Sequence, residues 1–254
     1  MRWLIILLLF TTPLCAQTRE AGLELVLLAD GSGSIDEEEL VFQRQGYALA
    51  ITDPEVLAAI EASIYGNIAV TYVEWATNTA QVVDWTIIDG PESAKTFADA
   101  LIGPPRQVYG RNAIGGALLE GKRLIEDNDI FSPRQVIDFS GDSIGNSSRP
   151  PIATAREEVI AAGITINALP ILRPEDGRRA GVNLEEEYET RIIGGPGAFM
   201  VTAESRDTFA QTVRRKLILE IAGVTPEQYF ASRKTPPTRS TMIRVNAATD
   251  KDKP

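Results

Sequence analysis

The chain has no histidine and a single cysteine among its 254 residues. Without imidazole, Ser-His-Asp and Cys-His catalysis, histidine-ligated zinc and a histidine general base are all excluded. The cysteine, Cys15, lies in an apolar leader, so the body of the chain draws on neither disulfides nor thiolates. Beyond that leader no stretch approaches the roughly 18 uninterrupted apolar residues of a membrane-spanning helix. Positive charge is scarce too: 25 Lys and Arg against 35 Asp and Glu give a net charge of -10. An acidic body disfavours nucleic acid and anionic membranes as partners, because both require clustered basic side chains. Any metal site in this chain has to be built from oxygen.

The composition that remains, 44% apolar and 24% charged, is that of a globular protein. Residues 1–16 join Arg2 to an apolar stretch ending at the small residue Ala16, the pattern of a cleavable secretory signal, and place the protein in the periplasm or outside the cell. Residues 17–224 are expected to form one domain. Residues 225–254 are expected to be a disordered tail that is basic at its end, with six basic and two acidic residues from Arg233 onward.

Strand and helix patterns alternate along the body. Apolar runs at Leu23–Ala29, Arg134–Phe139 and Ile164–Leu169 read as buried strands, and Gly197–Val201 as a short final one. Asn67–Ala76 and Ala80–Ile88 are separated by three residues, so they form an antiparallel hairpin, since a parallel crossover needs a dozen or more. Helices are expected over 36–51, 55–63, 93–102, 113–127, 152–162, 184–193 and 204–221, with a charged loop over 173–183. The fold class is α/β: a doubly wound, mostly parallel six-stranded sheet with one antiparallel edge strand and helices on both faces. Ligands of such sheets bind beyond the carboxyl ends of the strands.

That rim collects the polar motifs. The first strand runs into Asp30-Gly31-Ser32-Gly33-Ser34, a later one into Ser140-Gly141-Asp142, and Asn112 opens a helix. Carboxylates, hydroxyls and amide oxygens are the ligands of hard divalent cations. A simpler reading also fits each group. Ser34 and Glu37 have the Ser-x-x-Glu spacing of a capping box, Asn112 suits a helix cap, and Asp142 suits a turn. Asp138, inside an apolar strand, reads as a structural carboxylate needing partners, and Trp75 and Trp85 as core residues.

Asp30-x-Ser32-x-Ser34 after the first strand, with the order of strands and the early hairpin over 23–222, resembles the von Willebrand factor A family. With Val-Ile-Asp-Phe-Ser-Gly-Asp at the fourth strand, it resembles in particular a secreted bacterial branch of unknown function. The resemblance implies a metal-ion-dependent adhesion site. Asp30, Ser32, Ser34, Asn112 and Asp142 would hold a divalent cation, Mg²⁺ first and Mn²⁺ or Ca²⁺ next, and a protein partner would complete it with an Asp or Glu carboxylate. Two departures stand out. Asn112 occupies the place of the family's Thr, and Asp142 arrives one residue later than the family's Asp. They leave open a structural or chaperone-like protein with a degenerate site. Gly141-Asp142-Ser143-Ile144 also resembles the Gly-Asp-Ser-Leu block of certain esterases, with Ser143 as nucleophile, but that block pairs with a histidine and sits near the N-terminus.

Overall fold

The computed structural model describes residues 19–147, 149–172, 183–205 and 208–234. The leader at 1–16, nearly all of the charged loop and the tail beyond 234 lie outside the described residues.

A five-stranded sheet forms the centre. Strand β2 (Glu24–Asp30) is buried along its whole length and pairs in parallel with β3 (Ile68–Trp75) on one side and β6 (Gln135–Gly141) on the other. Strand β7 (Thr165–Pro170) adds in parallel to β6, and β4 (Thr79–Ile88) adds antiparallel to β3, giving the order β4-β3-β2-β6-β7. Two residues of β1 (Arg19–Glu20) pair in parallel with β5 (Ile130–Phe131) in a separate ribbon. The alternation along β2 sends Leu25, Leu27 and Ala29 into one core layer and Val26 and Leu28 into the other. Helices α1 (Glu37–Ile51), α2 (Pro54–Glu61), α3 (Pro91–Ile102) and α7 (Phe209–Ala222) cover the first layer. Helices α4 (Ile114–Glu126), α5 (Ile152–Ala161) and α6 (Leu184–Arg191) cover the second. Among the described residues, no helix is long and apolar enough to cross a membrane.

The sequence expectations need three corrections. The sheet has five strands where six were expected. The segment expected to form the last strand contributes only isolated bridges, Ala168 with Met200 and Ile171 with Ala203. Gly195 and Gly197 at φ 93° and 69° turn the chain out of extended geometry, and Pro196 between them has no N–H to donate. Strand β6 runs two residues further than its apolar run, because Ser140 and Gly141 still pair with Leu169 and Pro170. The third correction lies beyond α7, where α8 (Pro226–Lys234) occupies the start of the stretch expected to be a tail.

Candidate metal centre

Asp30 closes β2 at its carboxyl end and is fully buried. Its Oδ1 accepts the Ser32 N–H at 2.8 Å, while Oδ2 has no hydrogen-bond partner. The hydroxyls of Ser32 and Ser34 lie 3.2 Å apart, and Ser34 Oγ donates to Asp142 Oδ1 at 3.2 Å. The structure therefore brings four of the five sequence-derived residues into one cluster.

The one-residue delay of Asp142 has its explanation in the strand. Since β6 continues through Gly141, Asp142 is the first residue beyond the sheet, at the same rim as Asp30. Gly141 is required there by close approach. A Cβ at this position would lie 2.9 Å from the Tyr188 hydroxyl, 3.0 Å from the Trp75 ring and 3.1 Å from Asp30 Oδ2.

The capping readings of Ser34 and Asn112 do not hold. Helix α1 is capped by Asp36, whose Oδ1 accepts the Glu39 N–H at 2.8 Å while Glu39 reaches back to the Asp36 N–H. Ser34 thus faces Asp142 instead. Helix α4 has Ala113 at its cap position, and its Gly115 N–H goes to Asn146 Oδ1 at 3.3 Å, from the loop after β6. Asn112 lines the same cleft as Ser32 and Ser34, but its side-chain amide donates to Ser143 Oγ. It stands on the rim with its side chain turned to the loop after β6. Ser143 is itself nearly buried and also accepts the Gly145 N–H, at 3.4 Å.

Several supporting residues carry no sequence signal. Arg106 threads beneath the motif and donates to the carbonyls of Gly31, Ser32 at 3.1 Å and Ile35 at 2.8 Å, fixing the turn. Gln43 on α1 donates to the Asp30 carbonyl at 3.3 Å, and the Tyr188 hydroxyl on α6 donates to the Ser143 carbonyl at 3.2 Å. Trp75 stacks on Phe139 at 4.9 Å and donates to the Ser140 carbonyl, so it belongs to the core as its apolar strand implied.

Burial and, next, the nearby Asp142 carboxylate push the Asp30 carboxyl up to about 7. Hydrogen bonds from Ser32 and from the Asp142 backbone act in the other direction, and no cation among the described residues acts with them. Among the described residues no three of His, Cys, Asp and Glu form a metal-binding group. The donor set is two carboxylates plus hydroxyls and amides, which matches a hard cation that keeps several waters. The orphaned, buried Oδ2 and the Cβ-free space beside it fit such an ion. Above the cluster opens a cleft of about 410 Å³, whose lining includes Ser32, Ser34, Gly110, Arg111, Asn112 and Asn146.

A family model described as "protein of unknown function (DUF1194)" matches residues 20–225. The chain belongs to this family. Among curated proteins none matches the sequence. Solved structures share the fold. The proximal thread matrix protein 1 of the mussel byssus, with a zinc-occupied MIDAS motif, superposes with a TM-score of 0.57 at 15% identity, over 80% of this chain and 49% of that one. A von Willebrand factor type A protein from Catenulispora acidiphila gives 0.54 at 15% identity, over 80% and 43%. The vWF domain of the type V pilus tip protein Mfa5 from Porphyromonas gingivalis gives 0.52 at 8% identity, over 81% and 97%. This chain spans less than half the length of the first two. Its fold is that of a von Willebrand factor A domain, and these neighbours are not described as enzymes.

Proposed function

We propose that this protein is a secreted or periplasmic protein-binding module whose site works through a divalent cation, Mg²⁺ first and Mn²⁺ or Ca²⁺ as alternatives. The observation that carries the reading is Asp30 Oδ2, a buried carboxylate oxygen without a hydrogen-bond partner, in a cluster made only of oxygen donors. A carboxylate in that position is costly to ionise unless a cation joins it. Asp30, Ser32, Ser34 and Asp142 would hold the ion, with Asn112 reaching it after its amide leaves Ser143. The ion would supply the positive charge that this acidic chain lacks, for an Asp or Glu side chain of a partner protein. The zinc-occupied MIDAS motif of the byssus protein and the pilus tip protein among the structural neighbours support the reading.

Titration calorimetry with each ion, alongside thermal melts, tests it. Binding and stabilisation are expected, and both vanish in Asp30→Ala. No heat and no stabilisation with any of the three ions would leave the structural or chaperone-like reading in its place. We assign no enzymatic role. Ser143 lies beneath the surface, and the chain has no histidine to activate it, so hydrolysis of model esters should be no different in Ser143→Ala.

A further inference from the structure

The cleft above the candidate cation site has walls of bare backbone: Gly33 and Gly110 meet across it through an N–H to carbonyl bond of 2.8 Å, and Gly145 faces them from the loop after β6. Arg111 is the only lining residue that carries a positive charge, and it is exposed. Its guanidinium makes no ion pair or hydrogen bond among the described residues. Arg19, Arg123, Arg191 and Arg214, in contrast, each face a carboxylate. In a chain with ten more acidic than basic residues, an arginine without a carboxylate partner at a cleft is able to take a bidentate anion from outside the chain.

The position of Arg111 is fixed by the fold. Its N–H donates to Thr77 Oγ1 at 2.9 Å, and that hydroxyl donates to the Arg111 carbonyl at 3.2 Å. Two residues earlier, Tyr109 is 62% exposed yet pinned at both ends. Its hydroxyl donates to the Arg106 carbonyl at 2.9 Å, and its N–H donates to Asn78 Oδ1 at 3.1 Å. The Arg106 guanidinium sits 5.6 Å from the ring centre. A rigid exposed ring costs little entropy to bury, as suits an anchor at an interface.

We propose that this cleft takes an extended segment of a partner protein carrying two acidic side chains, one directed to the cation and the second to Arg111, and that the segment continues past Arg111 onto the exposed ring of Tyr109, two residues before it in the chain. The assignment rests on the cation reading for the first carboxylate and on Arg111 alone for the second. Glycine walls admit a peptide backbone, and an anionic segment is complementary to the one unpaired cation of the cleft.

The test uses fluorescence polarisation of labelled glycine-serine peptides bearing one Asp, or one Asp and a Glu two to four positions away, titrated with the purified protein in Mg²⁺. The two-acid peptide should bind about tenfold tighter, since a charge-assisted pair is among the stronger hydrogen bonds. Arg111→Glu should erase that preference without shifting the thermal melt, Arg111→Lys should keep part of it, and Tyr109→Ala should weaken both peptides. Equal binding of the two peptides, no binding of either at millimolar concentration, or a preference that survives Arg111→Glu overturns the proposal. If a chelator leaves the preference intact while Arg111→Glu removes it, the cation reading fails and the Arg111 assignment stands. If the chelator abolishes binding and Arg111→Glu changes nothing, the reverse holds.

Discussion

Two pairs of buried carboxylates sit in this fold, and their surroundings differ in one respect. Asp138 on β6 and Glu220 on α7 share Lys216, whose ammonium lies 2.7 Å from Asp138 and bonds Glu220, all three being essentially inaccessible to solvent. Asn167 adds a 3.0 Å hydrogen bond to Glu220. Asp30, beside Asp142 at the top of the same sheet, receives hydrogen bonds but no cation among the described residues. Lys216 holds the lower pair and ties α7 to the sheet, although Glu220 Oε2 accepts no hydrogen bond. The upper pair has no such ammonium and lies behind Ser32 and Ser34, which line the cleft. The difference separates a structural charge cluster from a candidate binding site, although each pair has one acid in a central strand.

The largest expected effect comes from breaking the lower cluster. Lys216→Met leaves two buried carboxylates without their ammonium and should cost about 3–5 kcal/mol in denaturant unfolding. A loss under 1 kcal/mol would mean that the cluster does not hold α7. Asp30→Asn should do the opposite at the upper site. Cation affinity should drop by about 100-fold or more, while stability without added cation should hold or rise, because a buried carboxylate is replaced by a neutral group. A stability loss like that of Lys216→Met would erase the distinction between the two pairs.

Gly141→Ala should come next. Its Cβ would sit 3.1 Å from Asp30 Oδ2, between Trp75 and Tyr188, so about 1–3 kcal/mol of overpacking strain is expected, together with weaker cation binding in calorimetry. The smallest effect concerns pH. Burial and, next, Asp138 raise the Glu220 carboxyl from a usual 4.5 to about 7 against the opposing effects of Lys216 and Asn167. The native state then holds a proton that the unfolded chain releases. This contribution is fully present below about pH 4.5 and is lost as pH rises through 7. Glu220→Gln should flatten that decline by roughly 1–2 kcal/mol between pH 5 and 8 in melts followed by circular dichroism. An unchanged slope would place the proton elsewhere.

Much of the fold was legible because period and length are local properties. The largely apolar runs of β2, β6 and β7 and the three-residue link between β3 and β4 suffice for a parallel sheet with a hairpin edge. The sixth strand failed because pairing depends on the backbone path, and Gly195-Pro196-Gly197 bends it away. At the site, Asp30, Ser32 and Ser34 were readable as oxygen donors at a strand end, while their service to a metal rested on the resemblance. The role of Ser34 was not readable, since Ser34-x-x-Glu37 and Asp36-x-x-Glu39 are both plausible caps, and only the helix start at Glu37 decides for Asp36. Arg106 gave no signal at all. Its bonds to Gly31, Ser32 and Ile35 span more than seventy positions.

By itself the sequence determined which chemistry is possible: no imidazole, no thiolate in the body, an acidic surface, and oxygen donors placed where strands end. Those facts depend on residue identity and local periodicity. The tertiary structure decided which of several similar acids belongs to which role. Asp138 and Asp142 are four residues apart on one segment, yet the alternation along β6 turns the first toward Lys216 on α7. The end of the strand after Gly141 places the second against Ser34. Proximity across the fold, which no local pattern encodes, separates the pair that shares Lys216 from the pair that lies behind the serines of the cleft.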